Sequence, residues 1–147
     1  GRNSRLDGLQ GAILSVKLPH VDDWTAARQK HAATYTRLLA DSGLKTPTIA
    51  ADATHVYHVY VVEVPEREQV IQALNDAGIA NAIHYPMPLP FLKPYADQEA
   101  KPSDYPAAFD AHTRILSLPM FPEMTDEMIQ YVVNILLTTV KSLAVST

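Results

Sequence analysis

His55-Val56-Tyr57-His58-Val59-Tyr60-Val61-Val62-Glu63-Val64-Pro65 is the stretch whose reading decides the fold. Val56, Tyr60, Val62 and Val64 alternate with Tyr57, Val59 and Val61, so a strand over 55–64 is apolar on both faces. That pattern predicts a strand covered on two sides. Pro65 ends the strand and suits the first turn of a helix, for which Val70, Ile71 and Leu74 supply a buried stripe up to a cap at Gly78. A second strand over 79–85 completes a strand–helix–strand unit.

Beyond it, Pro86, Pro88, Pro90 and Pro94 forbid regular structure and predict a stiff, irregular loop. A short helix over 105–113 and a short strand over 115–118 follow. Thr125 then caps a final helix that Asp126 and Glu127 favour through the helix dipole, with Met128, Val132, Leu136, Val140 and Leu143 on its core face. Upstream, Asn3-Ser4-Arg5-Leu6-Asp7-Gly8-Leu9-Gln10-Gly11-Ala12-Ile13-Leu14 runs from a polar elbow into a helix whose stripe is Leu6, Leu9, Ile13 and Val16. Pro19 marks a break. Asp22 is the expected N-cap of a second helix, reaching about residue 41, with Trp24, Ala27, His31, Tyr35 and Leu38 on one face and Gly43 as the stop. Residues 45–53 read as a loop. Alternating strands and helices with one non-sequential return predict a single α/β domain, helices packed on a small sheet.

The chain has 147 residues, long enough to bury roughly 68 to 70% of its unfolded surface. A formal charge of -4 supplies no basic footprint for nucleic acid. The absence of cysteine excludes disulfides, thiolate metal sites and thiol nucleophiles and fits a reducing cytoplasm. The longest apolar runs, around 132–137, are shorter than a bilayer span, and no charged-then-apolar leader opens the chain, so no membrane partner is expected.

Two segments offer binding chemistry. Asn3 and Arg5 stand ahead of a helix, where a phosphate or carboxylate is commonly gripped, although a helix entry with a solvent-facing arginine reads the same way. His84-Tyr85 closes a strand and opens the proline loop, where an imidazole and a phenol can meet a ligand or simply pack. His55 and His58 lie three apart, a spacing that sends strand side chains to opposite faces, while His20, His31 and His112 are isolated; no metal site is expected. Hydrolase, nucleoside triphosphatase and dinucleotide motifs are absent. Arg28, Lys30 and Arg37 read as solvated charges, and Arg114 is undecided. Gly8 and Gly11 inside a helix cost about 1 kcal/mol each relative to alanine, which suggests close approach by another backbone or a cofactor.

The opening segment, followed by Lys17-Leu18, resembles the start of the C-terminal half of the DegT/DnrJ/StrS sugar aminotransferases. So do Arg28-Gln29-Lys30-His31-Ala32 with Tyr35 and Leu38, Tyr57-His58-Val59-Tyr60, His84-Tyr85-Pro86-Met87-Pro88-Leu89 and Leu116-Ser117-Leu118-Pro119-Met120. The resemblance implies the small domain of a fold-type I (aspartate aminotransferase-like) pyridoxal 5'-phosphate enzyme, with residues 1–20 as a bridging helix from an upstream large domain and 21–147 as the small domain. It implies amino transfer to a nucleotide-linked keto sugar, glutamate as the amino donor, a homodimer, and a product destined for surface polysaccharide or a related glycan. It assigns Asn3 and Arg5 to the cofactor phosphate across a dimer interface, and His84 and Tyr85 to substrate. None of the six lysines, Lys17, Lys30, Lys45, Lys93, Lys101 and Lys141, has a serine five residues before it, as the family's Schiff-base lysine does. That lysine is therefore expected upstream, and this chain alone is expected to be inactive. Two departures stand out: Gly11 where the family more often has alanine, and Pro90-Phe91-Leu92-Lys93 after the shared Leu89. A non-catalytic interaction or ligand-binding domain lacking the Schiff-base lysine is the alternative.

Overall fold

A computed structural model describes residues 4–145. Helix α1 spans Gly8–Lys17 and is closed at its start by a reciprocal cap. Asp7 accepts a hydrogen bond from the Leu9 amide at 2.8 Å, and the Asp7 amide donates to Gln10 Oε1 at 3.4 Å. Of the expected stripe, Leu9, Ile13 and Val16 lie on α1 while Leu6 precedes its cap, and α1 buries none of its residues. A 3-10 turn, Leu18–His20, carries the chain from α1 into α2, Val21–Leu39. The backbone stays in the helical region through Lys17, Leu18, His20 and Val21, so no N-cap is needed at Asp22, which instead lies with Asp23 in the first turn of α2.

His31, Ala32, Tyr35 and Leu39 form the buried face of α2. Trp24, Ala27 and Leu38, expected on that face, are only half-buried. Tyr35 stacks on Tyr60 with ring centroids 5.0 Å apart and donates its hydroxyl to the Pro119 carbonyl at 3.1 Å. Burial, with the neighbouring Tyr60 adding to it, lifts the Tyr35 phenol well above the usual tyrosine value.

Strand β1 is Tyr60–Glu63, shorter than the predicted 55–64. The cause is local: Tyr57 takes φ 49°, a left-handed conformation that interrupts extension, and its amide donates to His55 Nδ1 at 2.8 Å. The expectation of two equally buried faces is also corrected. Tyr60, Val62 and Val64 are buried, whereas Val59 and Val61 are half-buried and Val56 is exposed.

After β1, α3 spans Arg67–Asp76 and buries Val70 and Leu74. Gly78, at φ 70°, turns the chain out of it in a conformation that glycine adopts without steric cost. The predicted second strand over 79–85 is reduced to a single bridge, in which Ala82 and Ser117 exchange both backbone hydrogen bonds, at 2.8 and 3.3 Å. Pro86 and Pro88 lie just beyond and cannot donate to a ladder. The proline segment holds 3-10 turns at Leu89–Phe91, Lys93–Gln98 and Pro102–Asp104 before the short helix α4, Pro106–Ala111.

Strand β2, Ile115–Leu118, pairs antiparallel with β1 in the register Tyr60↔Leu118 and Val62↔Leu116. Because Ala82 lies antiparallel to β2 on its other side, β2 is inserted between β1 and the segment that follows α3. The strand–helix–strand unit is thus a split one.

Helix α5, Asp126–Val145, packs against α2 and α3 through Ile129, Val132, Val133 and Leu136. The Met128 amide is held by Thr125 Oγ1 at 3.3 Å, while the Met128 side chain, expected in the core, is exposed. Contrary to the expectation from short apolar runs, α5 is long and apolar enough to cross a bilayer by length and composition. In this fold it is the helix that closes the core.

An ion-pair cluster ties the sheet to the loops. Glu63 accepts from Lys45 at 2.7 Å and from Arg114 at 3.0 Å, and Arg114 also grips Asp110 at 2.6 Å. Arg114 is therefore a structural cross-link between β1 and α4. The Lys45 hydrogen bond, and after it Arg114, hold the Glu63 carboxyl below its ordinary 4.5 against the opposing effect of burial. A lowered folded-state value contributes stability above the ordinary glutamate range, and that contribution is lost as pH falls through the lowered value. Glu63→Gln is expected to flatten the fall of Tm on acidification below pH 4.5; a Tm–pH curve as steep as that of the parent chain would refute this assignment.

Candidate functional site

Asn3 lies outside the described residues. Arg5 is exposed two residues ahead of the Asp7 cap. Asp7 already occupies the Leu9 amide with its own carboxylate, so an anion at this end must be held chiefly by side chains ahead of the cap. Among the described residues, the close approach expected at the glycines of α1 is not found: a Cβ at Gly8 would meet nothing within 4 Å, and one at Gly11 would meet Leu6 Cδ2, at 3.6 Å.

The structure separates His84 from Tyr85. Tyr85, 72% exposed, borders an open apolar groove of about 500 Å³ with Met87, Leu92, Ala111 and Ile115. His84 lines a different and smaller cavity, of about 210 Å³, together with His58, Asn81, Ser117 and Met120. The two rings meet edge to face with centroids 5.5 Å apart. His84 Nδ1 lies 2.8 Å from Ser117 Oγ. Ser117 is the partner that reasoning on His84 alone misses. Its signal was period two across 115–118, which sets Ser117 on the face opposite Leu116 and Leu118.

His55 and His58 do fall apart, though through the left-handed turn at Tyr57 rather than strand alternation. His55 borders a groove against α2, and His58 borders the His84 cavity. His31 is buried with Nε2 3.0 Å from the Pro122 carbonyl oxygen, and His112 Nδ1 is bonded to the Phe109 carbonyl. Among the described residues, no group of three or more His, Asp or Glu side chains could hold a metal ion. Arg28, read as solvated, is instead half-buried, its Nε enclosed without a hydrogen-bond partner.

Lys45 borders a cavity beside β1, but its ammonium is engaged by Glu63. Lys17 lies 6.0 Å from the centre of the Trp24 ring. The described residues therefore do not compose a pyridoxal phosphate site by themselves. Arg5 stands ahead of α1, and His84 and Tyr85 line separate cavities at the start of the proline loop.

The sequence profile of the DegT/DnrJ/EryC1/StrS aminotransferase family matches residues 1–137. The chain is 46% identical over 137 residues to a pleiotropic regulatory protein of Geobacillus stearothermophilus, covering 91% of this chain and 37% of that protein. It is 38% identical over 134 residues to the dTDP-3-amino-3,6-dideoxy-alpha-D-galactopyranose transaminase of Aneurinibacillus thermoaerophilus, covering 91% of this chain and 36% of the relative. Among solved structures, S. venezuelae DesV in complex with a ketimine intermediate superposes with a TM-score of 0.84 at 32% identity, over 94% of this chain and 38% of that one. The chain thus spans little more than a third of the length of the relatives it matches. The fold is α/β, that of the small domain of fold-type I sugar aminotransferases. With the profile match running through both the opening elbow and the β2 motif, the chain belongs to the DegT/DnrJ/EryC1/StrS aminotransferase family.

Proposed function

We propose that this chain is the C-terminal domain of a pyridoxal phosphate-dependent aminotransferase acting on a nucleotide-linked keto sugar. The observation that carries this reading is the family match over residues 1–137, in a chain that spans only 36 to 37% of its first relatives. Residues 1–20 form the bridge from an upstream large domain and 21–147 the small domain. The whole protein works as a cytoplasmic homodimer with glutamate as donor. When bound, the cofactor supplies the electron sink for amino transfer. This chain's residues bind and orient: Asn3 and Arg5 at the cofactor phosphate, His84 and Tyr85 at the nucleotide sugar. The Schiff-base lysine belongs to the upstream part.

Relatives named for dTDP- and UDP-linked amino sugars set the substrate class. The test is a panel of dTDP- and UDP-linked 3-keto sugars with the full-length protein, pyridoxal phosphate and glutamate, read as release of 2-oxoglutarate. Turnover of one panel member is expected. Failure across the panel would favour the second reading, a non-catalytic interaction or ligand-binding domain, which the name of the pleiotropic regulatory relative supports.

In the full-length protein, Asn3→Ala is expected to weaken cofactor retention by roughly tenfold or more, the scale of a lost hydrogen bond to a charged group. Equilibrium dialysis against pyridoxal phosphate measures this, and an unchanged dissociation constant would remove Asn3 from the phosphate.

A further inference from the structure

We infer that Ser117 is a positioning residue for His84, holding the imidazole at the wall of the small cavity so that Nε2 is presented to an oxygen of the nucleotide-sugar substrate. The inference deepens the proposed function and rests on it for the identity of the ligand. Its geometric part stands on the fold. Ala82 and Ser117 exchange both backbone hydrogen bonds, which locks the segment after α3 against β2. His84, two residues on, brings its Nδ1 within 2.8 Å of the Ser117 hydroxyl. Ser117 itself is only 4% exposed, whereas His84 is exposed.

A buried hydroxyl needs a partner, and His84 Nδ1 at 2.8 Å provides one. Serine can donate and accept. With the ring proton on Nε2, as the inference has it, the hydroxyl donates to Nδ1, and it accepts from Nδ1 of the charged ring. The ring therefore keeps one orientation in either protonation state, with Nε2 as the donor. His58 and Asn81 share the cavity, so an oxygen-rich group entering it meets further polar side chains.

The test uses the full-length protein and the panel sugar turned over fastest. Ser117→Ala is expected to raise KM for that sugar about tenfold with kcat within twofold, and Ser117→Thr, which keeps the hydroxyl, is expected to restore the parent value. In a double-mutant cycle, Ser117→Ala added to His84→Ala is expected to cost nothing further. With 15N-histidine labelling, His84 Nδ1 is expected to show the shift of a hydrogen-bonded acceptor in the parent protein and to lose it in Ser117→Ala. If the alanine variant does not fold, Ser117→Cys, of similar volume and with a weak donor, carries the same expectations. Parent KM in Ser117→Ala, additivity with His84→Ala, or an unchanged Nδ1 shift would each overturn the role while leaving the aminotransferase reading intact. Absence of turnover by the parent protein would overturn that reading and the substrate role of the pair together, with the Nδ1 shift still deciding the geometry.

Discussion

Replacing Tyr35 with alanine is expected to destabilise the chain by about 3–5 kcal/mol, the range for deleting a large buried aromatic side chain. Tyr35 is fully buried at the junction of α2, β1 and the turn after β2. The substitution removes the stacking contact with Tyr60 and the hydrogen bond to Pro119, and it opens a cavity that the fixed strand pair cannot collapse to fill. Against a typical total of about 5–15 kcal/mol, that is a large part of the stability. Tyr35→Phe separates the contributions: the ring remains, the Pro119 carbonyl loses its donor, and the expected cost is about 1 kcal/mol. Urea denaturation of the two variants measures both. Equal losses would show that the hydrogen bond, rather than ring burial, dominates at this position.

The second large effect depends on what surrounds the chain. Leu9 is 71% exposed and Ile13 51%, so in the isolated chain Leu9→Asp with Ile13→Asp is expected to shift stability by no more than about 0.5 kcal/mol. In the full-length protein the same pair is expected to cost about 3–6 kcal/mol. If residues 1–20 are the proposed bridge, each of the two aliphatic side chains, once buried against the upstream part, would contribute about 1.5–3 kcal/mol. The comparison of Tm in the two contexts is the measurement. A full-length protein as tolerant as the isolated chain would mean that this face of α1 stays in water, and that residues 1–20 do not serve as the bridge.

Helices, the Thr125 cap and β2 were legible because their signals are local, whereas the cap expected at Asp22 was displaced by the helical turn that precedes α2. The 3.6-residue period of α2 and α5, the start of α1 and the Thr125 cap all act within one or two turns. The errors have two causes: local backbone turns that residue pattern does not announce, and pairing between residues far apart in sequence. Nothing in the apolar run over 55–64 announces that Tyr57 turns left-handed and shortens the strand. The strand expected over 79–85 became one bridge because its pairing depends on a partner that arrives thirty-odd residues later.

The sequence by itself determined the helices, β2 and the family, since each is written in short-range pattern and residue identity. Only the tertiary structure decided that His84 and Tyr85, adjacent in the chain, face different cavities, that β2 enters between β1 and the segment after α3, and that a serine 33 residues downstream holds the histidine. The physical reason is that strand register is set by pairing across the sheet, and a one-residue change of register would carry every side chain to the other face.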